Sequence, residues 1–250
     1  MDKLPENTWL SANYCNRWSG RLCVDGKYVK VKGYPKKILF IYAIDFLTHD
    51  IPVGLLAPSE NLAAYVQFFN LLRTIHYPFQ ILICDENSAV QEALKLTYPT
   101  IPVQLCHNHY LENIRQLLSV RTEEKFRPFF YDLCYAFKSK HHPAKRDALL
   151  RRIQFMYGRR DTTVQTIMVD VMSRYKKLFA YTWRMKQCPN TTNIIESYNS
   201  HLQGRLKSVK GFQSFKSAER WLNAWMIRRR TKRFTDCGEP FKHLNGFCSL

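Results

Sequence analysis

Residues 21–32 begin apolar at Leu22, Cys23 and Val24, then alternate Tyr28, Val29 and Val31 with lysines before Gly33 and Pro35. That pattern predicts a strand pair or one long bent strand. Residues 37–44 form a continuous apolar run of strand length, and 51–57 follow after the turn-like His49-Asp50. Three sequential strands with short connections predict an antiparallel meander. The period then changes: from 59 to 76 apolar residues recur at 62, 65/66, 69 and 72, with Ser59 as a candidate N-cap, which predicts a helix. Residues 79–84 read as a buried strand, 87–96 as a short helix, 103–106 as a further strand, and about 108–118 as a helix. Later strands joined by helical crossovers run parallel, so the order predicts an α/β layered domain with a mixed sheet.

From about 121 to 187 no strand pattern remains, and helical periods run through Phe126, Phe129/Phe130, Leu133 and Phe137 and again through Ile167, Val171, Tyr175 and Leu178. We read five segments: 1–20 as an N-terminal remnant or linker, 21–120 as the sheet core, 121–187 as an all-helical insertion, 188–235 as closing helices near 192–207 and 214–233, and 236–250 as a tail. Trp221 and Trp225, at helical spacing, read as core; Trp183 is grouped with them.

Composition narrows the class. At 46% hydrophobic, with 9 Gly and 11 Pro in 250 residues, the chain can bury a core and is not disordered. No run approaches the roughly 18 apolar residues of a membrane span, and the first residues lack a signal-peptide core. The reading is an intracellular protein, cytoplasmic or nucleoid-associated, nuclear in a eukaryote, with its eight cysteines reduced. The net charge of +18 divides unevenly, +1 for residues 1–120 and +17 for 121–250. A neutral scaffold with a basic second half points to a polyanion, and nucleic acid leads. The basic segments adjoin no long apolar face of the interfacial kind, so a membrane surface is not the expectation. The plainer account, solvated basic helix faces, suits single pairs better than the whole set.

In so basic a chain the carboxylates in apolar surroundings stand out. Asp25 follows Leu22-Cys23-Val24 and Asp85 ends Ile81-Leu82-Ile83-Cys84. The carboxyl end of a parallel strand is where ligands bind, and Asp25 reaches Asp85 if the first strand lies beside the fourth. Two carboxylates brought together and both ionised imply a divalent cation. Each alone also fits a turn or cap, as in Asp25-Gly26 and Asp85-Glu86-Asn87-Ser88. Glu196 is the third candidate. It fits a capping box with Asn193, or it heads a polar track through Asn199/Ser200, Gln203, Lys207 and Lys210 suited to a phosphate backbone.

These residues resemble the catalytic domain of Mutator-like transposases and the related bacterial insertion-sequence transposases. The resemblance rests on Val24-Asp25-Gly26-Lys27-Tyr28-Val29-Lys30, Ile83-Cys84-Asp85, Gln104-Leu105-Cys106-His107-Asn108-His109 with Asn113, and Thr191-Thr192-Asn193-Ile194-Ile195-Glu196-Ser197. It covers roughly residues 20–235, with the acids 60 and 111 residues apart. It implies a DDE enzyme on an RNase H-like mixed sheet, three antiparallel strands and then parallel strands with crossover helices, with the helical insertion before the catalytic Glu. It further implies Asp25, Asp85 and Glu196 as a triad holding two Mg²⁺ or Mn²⁺ ions for DNA cleavage and strand transfer, with segment 188–235 completing the core. His109 joins the site list as a DNA contact or ligand orienter, with His107 adjacent as its alternative and Cys106 as packing. A Cys-x-x-His pair without a second pair of like spacing argues against structural zinc.

Phosphate contacts are assigned to Arg151, Arg152, Arg159, Arg160, Asn199, Lys207, Lys210, Arg228, Arg229 and Arg230. Double-stranded DNA, as element ends and target, is the expected partner, and a homo-oligomer follows from the need to process two ends together. Two departures from the family stand: Glu86 follows Asp85 where relatives often have a small residue, and only about 20 residues precede the first strand, which leaves no room for a sequence-specific DNA-binding domain. Two other functions remain open, a transposase-derived DNA-binding protein without catalysis and a structure-selective nuclease.

Overall fold

The computed structural model describes residues 4–15, 17–158, 161–183 and 187–250, and the chain divides into two compact units, one made of 1–103 with 192–250 and one of 104–191. The first, the sheet unit, opens with α1 (Asn7–Tyr14), β1 (Arg21–Val29), β2 (Ile38–Asp45), β3 (Gly54–Ala57), α2 (Leu62–Thr74), β4 (Ile81–Cys84), α3 (Ser88–Thr97) and β5 (Val103–Leu105), the last reaching the unit boundary. The second, the helical unit, contains α4 (His107–Leu117), α5 (Arg127–Ala136), α6 (Pro143–Tyr157), α7 (Thr162–Ser173), α8 (Tyr175–Leu178) and α9 (Ala180–Trp183). The chain then returns to the sheet unit with α10 (Asn193–Val209) and α11 (Phe215–Thr231).

The sheet order is β3-β2-β1-β4-β5. β1 pairs antiparallel with β2, and β2 with β3, while β1 and β4 run parallel with Cys23 opposite Ile83. It is thus a mixed sheet. Every residue of β2 and of β4 is buried, which is why both read as unbroken apolar runs with no alternation. The long first segment ends as a strand at Val29, and only Val31 continues it, as a parallel bridge to Phe212.

Local chemistry sets the helix ends. α2 begins at Leu62, not near Ser59, because the Asn61 side chain accepts from the Ala64 N–H while Ser59 accepts from the Asn61 amide. Residues 1–20, read as a remnant or linker, contain α1, and Asn7 and Ser11 fasten it by donating to the backbone oxygens of Ile51 and Pro52. Gly20 sets the β1–β4 neighbourhood: its φ of +78° is left-handed, and a Cβ there would stand 2.1 Å from the Pro78 oxygen. Its own oxygen accepts from Gln80 and Ile81 N–H, which starts the parallel pairing. Asp45, fully buried, holds this corner by accepting from Ser19, the Gly20 N–H, Thr48 and the Tyr77 hydroxyl.

In the helical unit, α4 to α7 pack in sequence around Phe129, Leu133, Ile167 and Val171, part of the apolar period read from the chain, together with Leu150, Ile153 and Met168. Asp161 caps α7 by accepting from the Thr163 and Val164 N–H groups. Among the described residues no helix is long and apolar enough to cross a membrane.

Candidate active site

The parallel register of β1 and β4 brings two of the acids together. Cys23 lies opposite Ile83, and two residues further on each strand stand Asp25 and Asp85, both half-buried. β1 therefore does lie beside β4. Asp25 is also opposite Tyr42 on β2. Its Oδ1 accepts from the Gly26 N–H at 2.7 Å, and Asp85 Oδ1 accepts from the Asn87 N–H at 3.2 Å. Asn87 in turn caps α3 through the Ala89 N–H, so Asp85 sits at a strand end that turns directly into a helix.

α10 lies against β1 and β2 and buries Ile195, Tyr198 and Leu202, the inward face that its apolar period predicts. Glu196 and Asn199, one helical turn apart, share another face. Asn199 Nδ2 donates to Asp25 Oδ2 at 2.6 Å, and the Tyr42 hydroxyl donates to Asn199 Oδ1 at 2.9 Å. Burial and then the nearby Asp25 charge push the Tyr42 pKa well above its ordinary value, so it stays a donor. Asn199, assigned from sequence to phosphate, is thus turned onto Asp25, and Glu196 lies one helical turn before it on α10. The capping-box account of Glu196 does not hold. The N-cap is Thr192, without a side-chain cap bond, Asn193 is the first helical residue, and the Thr192 hydroxyl donates to Glu196 Oε1 at 3.0 Å.

One acid escaped the sequence reading. Glu60, just before the α2 cap, accepts from the Tyr28 and Tyr65 hydroxyls and the Asn87 amide. Tyr65 feels Glu60, Asp85 and Asp25 together, and burial first, then these carboxylates, drive its pKa far upward. Nothing in the local sequence, Ser59-Glu60-Asn61 at a helix start, marks Glu60 as more than a cap neighbour. Glu86 is half-buried beside Asp85.

In the helical unit His107 is buried, its Nε2 2.5 Å from the Leu178 oxygen and its Nδ1 3.1 Å from Asn190 Nδ2. Burial lowers its pKa to about 4. A neutral ring with both nitrogens engaged within its own unit is a packing element, which removes it as the alternative to His109. His109 lies half-buried in the first turn of α4, and Cys106 is buried at the N-cap of that helix. Gln104 ties the start of this unit to its end, donating to the Leu178 oxygen and accepting from the Tyr181 N–H.

The basic residues divide. Arg151 and Arg152 are exposed on α6, Lys207 and Lys210 at the end of α10, and Arg228 on α11. Arg159 and Arg160 lie outside the described residues. Arg229 stacks on the Tyr198 ring at 4.5 Å. Arg230 corrects the sequence reading: it is wholly buried, pairs with both oxygens of Asp50 at 2.8 and 2.9 Å, and donates to Asn7 and Ser11. Consecutive helical residues point about 100° apart, so three arginines in a row cannot share one surface. Position 230 continues the buried row of Leu222 and Met226 at four-residue spacing, the signal that could have shown this. Trp225 is core, as read; Trp221 is half-buried against Phe212, and the Trp183 side chain lies outside what the structure describes.

The family model described as Transposase, Mutator family, matches residues 20–233. A search of curated proteins found no match. The matched span takes in both compact units and all three candidate acids, so it is the folded chain, and not one shared motif, that belongs to the Mutator family of transposases, DNA-processing enzymes.

Proposed function

We propose that the chain is the catalytic part of a DDE transposase that cleaves DNA and transfers strands at a site formed by Asp25, Asp85 and Glu196. The observation that carries this reading is the β1–β4 register, which sets Asp25 beside Asp85, together with Asn199 of α10 bound to Asp25. In this reading the mixed sheet is RNase H-like: a three-strand antiparallel meander followed by a strand parallel to β1, with the helical segment as an insertion before Glu196.

The donor set fits Mg²⁺ or Mn²⁺, since carboxylate oxygens from adjacent strand ends are hard ligands. Asp25, Asp85 and Glu196 would hold two such ions, which when bound supply Lewis-acid stabilisation of the attacking and leaving oxygens. The chain's own residues do the rest. Asn199 fixes the Asp25 carboxylate, Tyr42 fixes Asn199, and Thr192 orients Glu196. Exposed Arg151, Arg152, Lys207, Lys210 and Arg228 hold phosphates, and His109 contacts DNA or orients a ligand. Water first breaks the phosphodiester to leave a 3′-hydroxyl, and that hydroxyl then attacks a target phosphate, displacing a target 3′-oxygen. A homo-oligomer would bring two ends to two such sites.

The test is incubation of the chain with supercoiled plasmid and a pre-nicked end carrying a free 3′-hydroxyl, with Mg²⁺ or Mn²⁺, beside Glu196→Ala. Metal-dependent joining lost in the variant supports the reading. Hydrolysis without joining replaces it with a nuclease, and DNA binding with neither reaction replaces it with a DNA-binding protein.

A further inference from the structure

Beyond the carboxylates, the end of β1 and the end of α10 meet again. The Phe212 N–H donates to the Lys30 oxygen and the Lys32 N–H donates to the Phe212 oxygen, both at 2.8 Å, so backbone bonds stitch the segment after α10 to the end of β1. Between them lies a cavity of about 230 Å³ whose walls include Tyr28, Lys30, Lys37, Gln203, Lys207 and Lys210 and no carboxylate. Four exposed lysines from three separate stretches of chain line one concavity. A concavity lined by lysines attracts a polyanion.

A plainer account falls short. Lys207 and Lys210 complement the negative end of the α10 dipole, but Lys30 and Lys37 belong to no helix. Lys210 caps α10 in a left-handed backbone conformation, φ +56°.

The cavity is also in line with the reaction site. Val29, in its wall, lies four residues beyond Asp25 on β1, roughly 13 Å at strand rise. Gln203 and Lys207 lie two to three turns beyond Glu196 on α10, roughly 10–16 Å. At about 3.4 Å per nucleotide along one strand, this is some three to five nucleotides. Resting on the transposase reading above, we propose that the lysine groove is a phosphate subsite that holds the DNA backbone about three to five nucleotides from the phosphate reacting at Asp25, Asp85 and Glu196.

The test compares Lys30→Gln/Lys37→Gln, Lys207→Gln/Lys210→Gln and a control pair of equal charge change on exposed sites elsewhere in the same unit, Lys95→Gln/Lys216→Gln. Thermal melting first establishes that each variant is folded. Binding of a duplex of about 30 base pairs is followed by fluorescence anisotropy between about 50 and 200 mM salt. Each groove pair should flatten the slope of log Kd against log salt by about 1.8 and weaken binding on the order of 50-fold at 0.1 M salt, the control pair by less than about threefold. Because both groove pairs would hold the same phosphates, combining them should lose less than the product of the two effects. Neutral methylphosphonates placed singly in the pre-nicked end should depress joining most at the third to fifth positions, and not in the groove variants. Groove variants that bind like the control overturn the subsite. The plasmid assay keeps the two ideas apart: joining that depends on Glu196 beside normal DNA binding by the groove variants sinks the groove alone.

Discussion

Both compact units bury an arginine completely, and they accommodate it in opposite ways. In the sheet unit Arg230 meets both oxygens of Asp50 and the acceptors of Asn7 and Ser11. In the helical unit no carboxylate among the described residues bonds to Arg146. Its guanidinium lies over Phe179 at 4.4 Å, donates to the His141 oxygen and the Tyr181 hydroxyl, and leaves Nε and Nη1 without an acceptor among the described residues. The difference follows where each unit keeps its acids. The sheet unit has buried, saturated carboxylates at Asp45 and Asp50, and half-buried ones at Asp25, Asp85 and Glu196. The helical unit places its acids at caps and surface pairs, as with Asp161 and the Glu112–Arg115 pair. Inward acids suit chemistry on phosphates, and outward basic residues suit holding them.

The strongest break of this contrast is Asp85→Asn. It should lower metal-dependent cleavage by roughly three orders of magnitude or more, as expected when charge stabilisation of the transition state is lost, while DNA affinity stays equal or rises. A variant cutting at the wild-type rate would remove Asp85 from the site.

Next in size is Arg230→Met. It strands Asp50 without its cation, and denaturant unfolding should show a loss of about 3–5 kcal/mol. Replacing Asp50 with Leu in the same chain should restore most of that, because a matched apolar pair needs no desolvation of charge. If the double variant is no better than the single, the hydrogen bonds to Asn7 and Ser11 matter more than the ion pair.

The pH dependence comes third. His107 in the helical unit and half-buried His49 in the sheet unit are both lowered to about 4 from 6.5, each mainly by burial. The unfolded chain therefore binds protons that the folded chain refuses, so stability is complete above about pH 6.5 and falls as pH drops toward 4. For His107 the loss should approach about 3 kcal/mol, with less from the more exposed His49. Chemical denaturation across that range should show His107→Gln flattening the larger share. An unchanged slope would mean that His107 is protonated in the fold.

Arg146→Met should have the smallest effect, less than about 2 kcal/mol in the same denaturation assay, since two of its nitrogens make no hydrogen bond to lose. A loss as large as that of Arg230→Met would show that the aromatic surroundings hold the cation as firmly as a carboxylate does.

Much of the fold is legible because it is local. The apolar runs at 37–44 and 79–84 became β2 and β4, and Asp85 was identifiable as a strand-end acid from its own four preceding residues. The periods at 126–137 and 167–178 became helices of the helical unit for the same reason. What local pattern could not reveal was mostly non-local. Asn199 and Asp25 are 174 residues apart in sequence, and Arg230 and Asp50 are 180 apart. A surface arginine and a buried one have the same letter, and the counter-charge that makes burial tolerable lies elsewhere in the chain.

The sequence by itself determined the strands, most helices, the excess charge and the family, since these rest on periodicity, composition and short motifs. The tertiary structure decided that β1 lies beside β4, that Glu60 stands near Asp85 and Asp25, and that Asn199 is turned inward. It also decided that Lys30 and Lys37, in the connection between β1 and β2, join Lys207 and Lys210 at the end of α10 around one cavity. The physical reason is that strand order and side-chain partnership are settled by packing across the whole sheet, where a residue's neighbours are set by register and burial and not by its place in the chain.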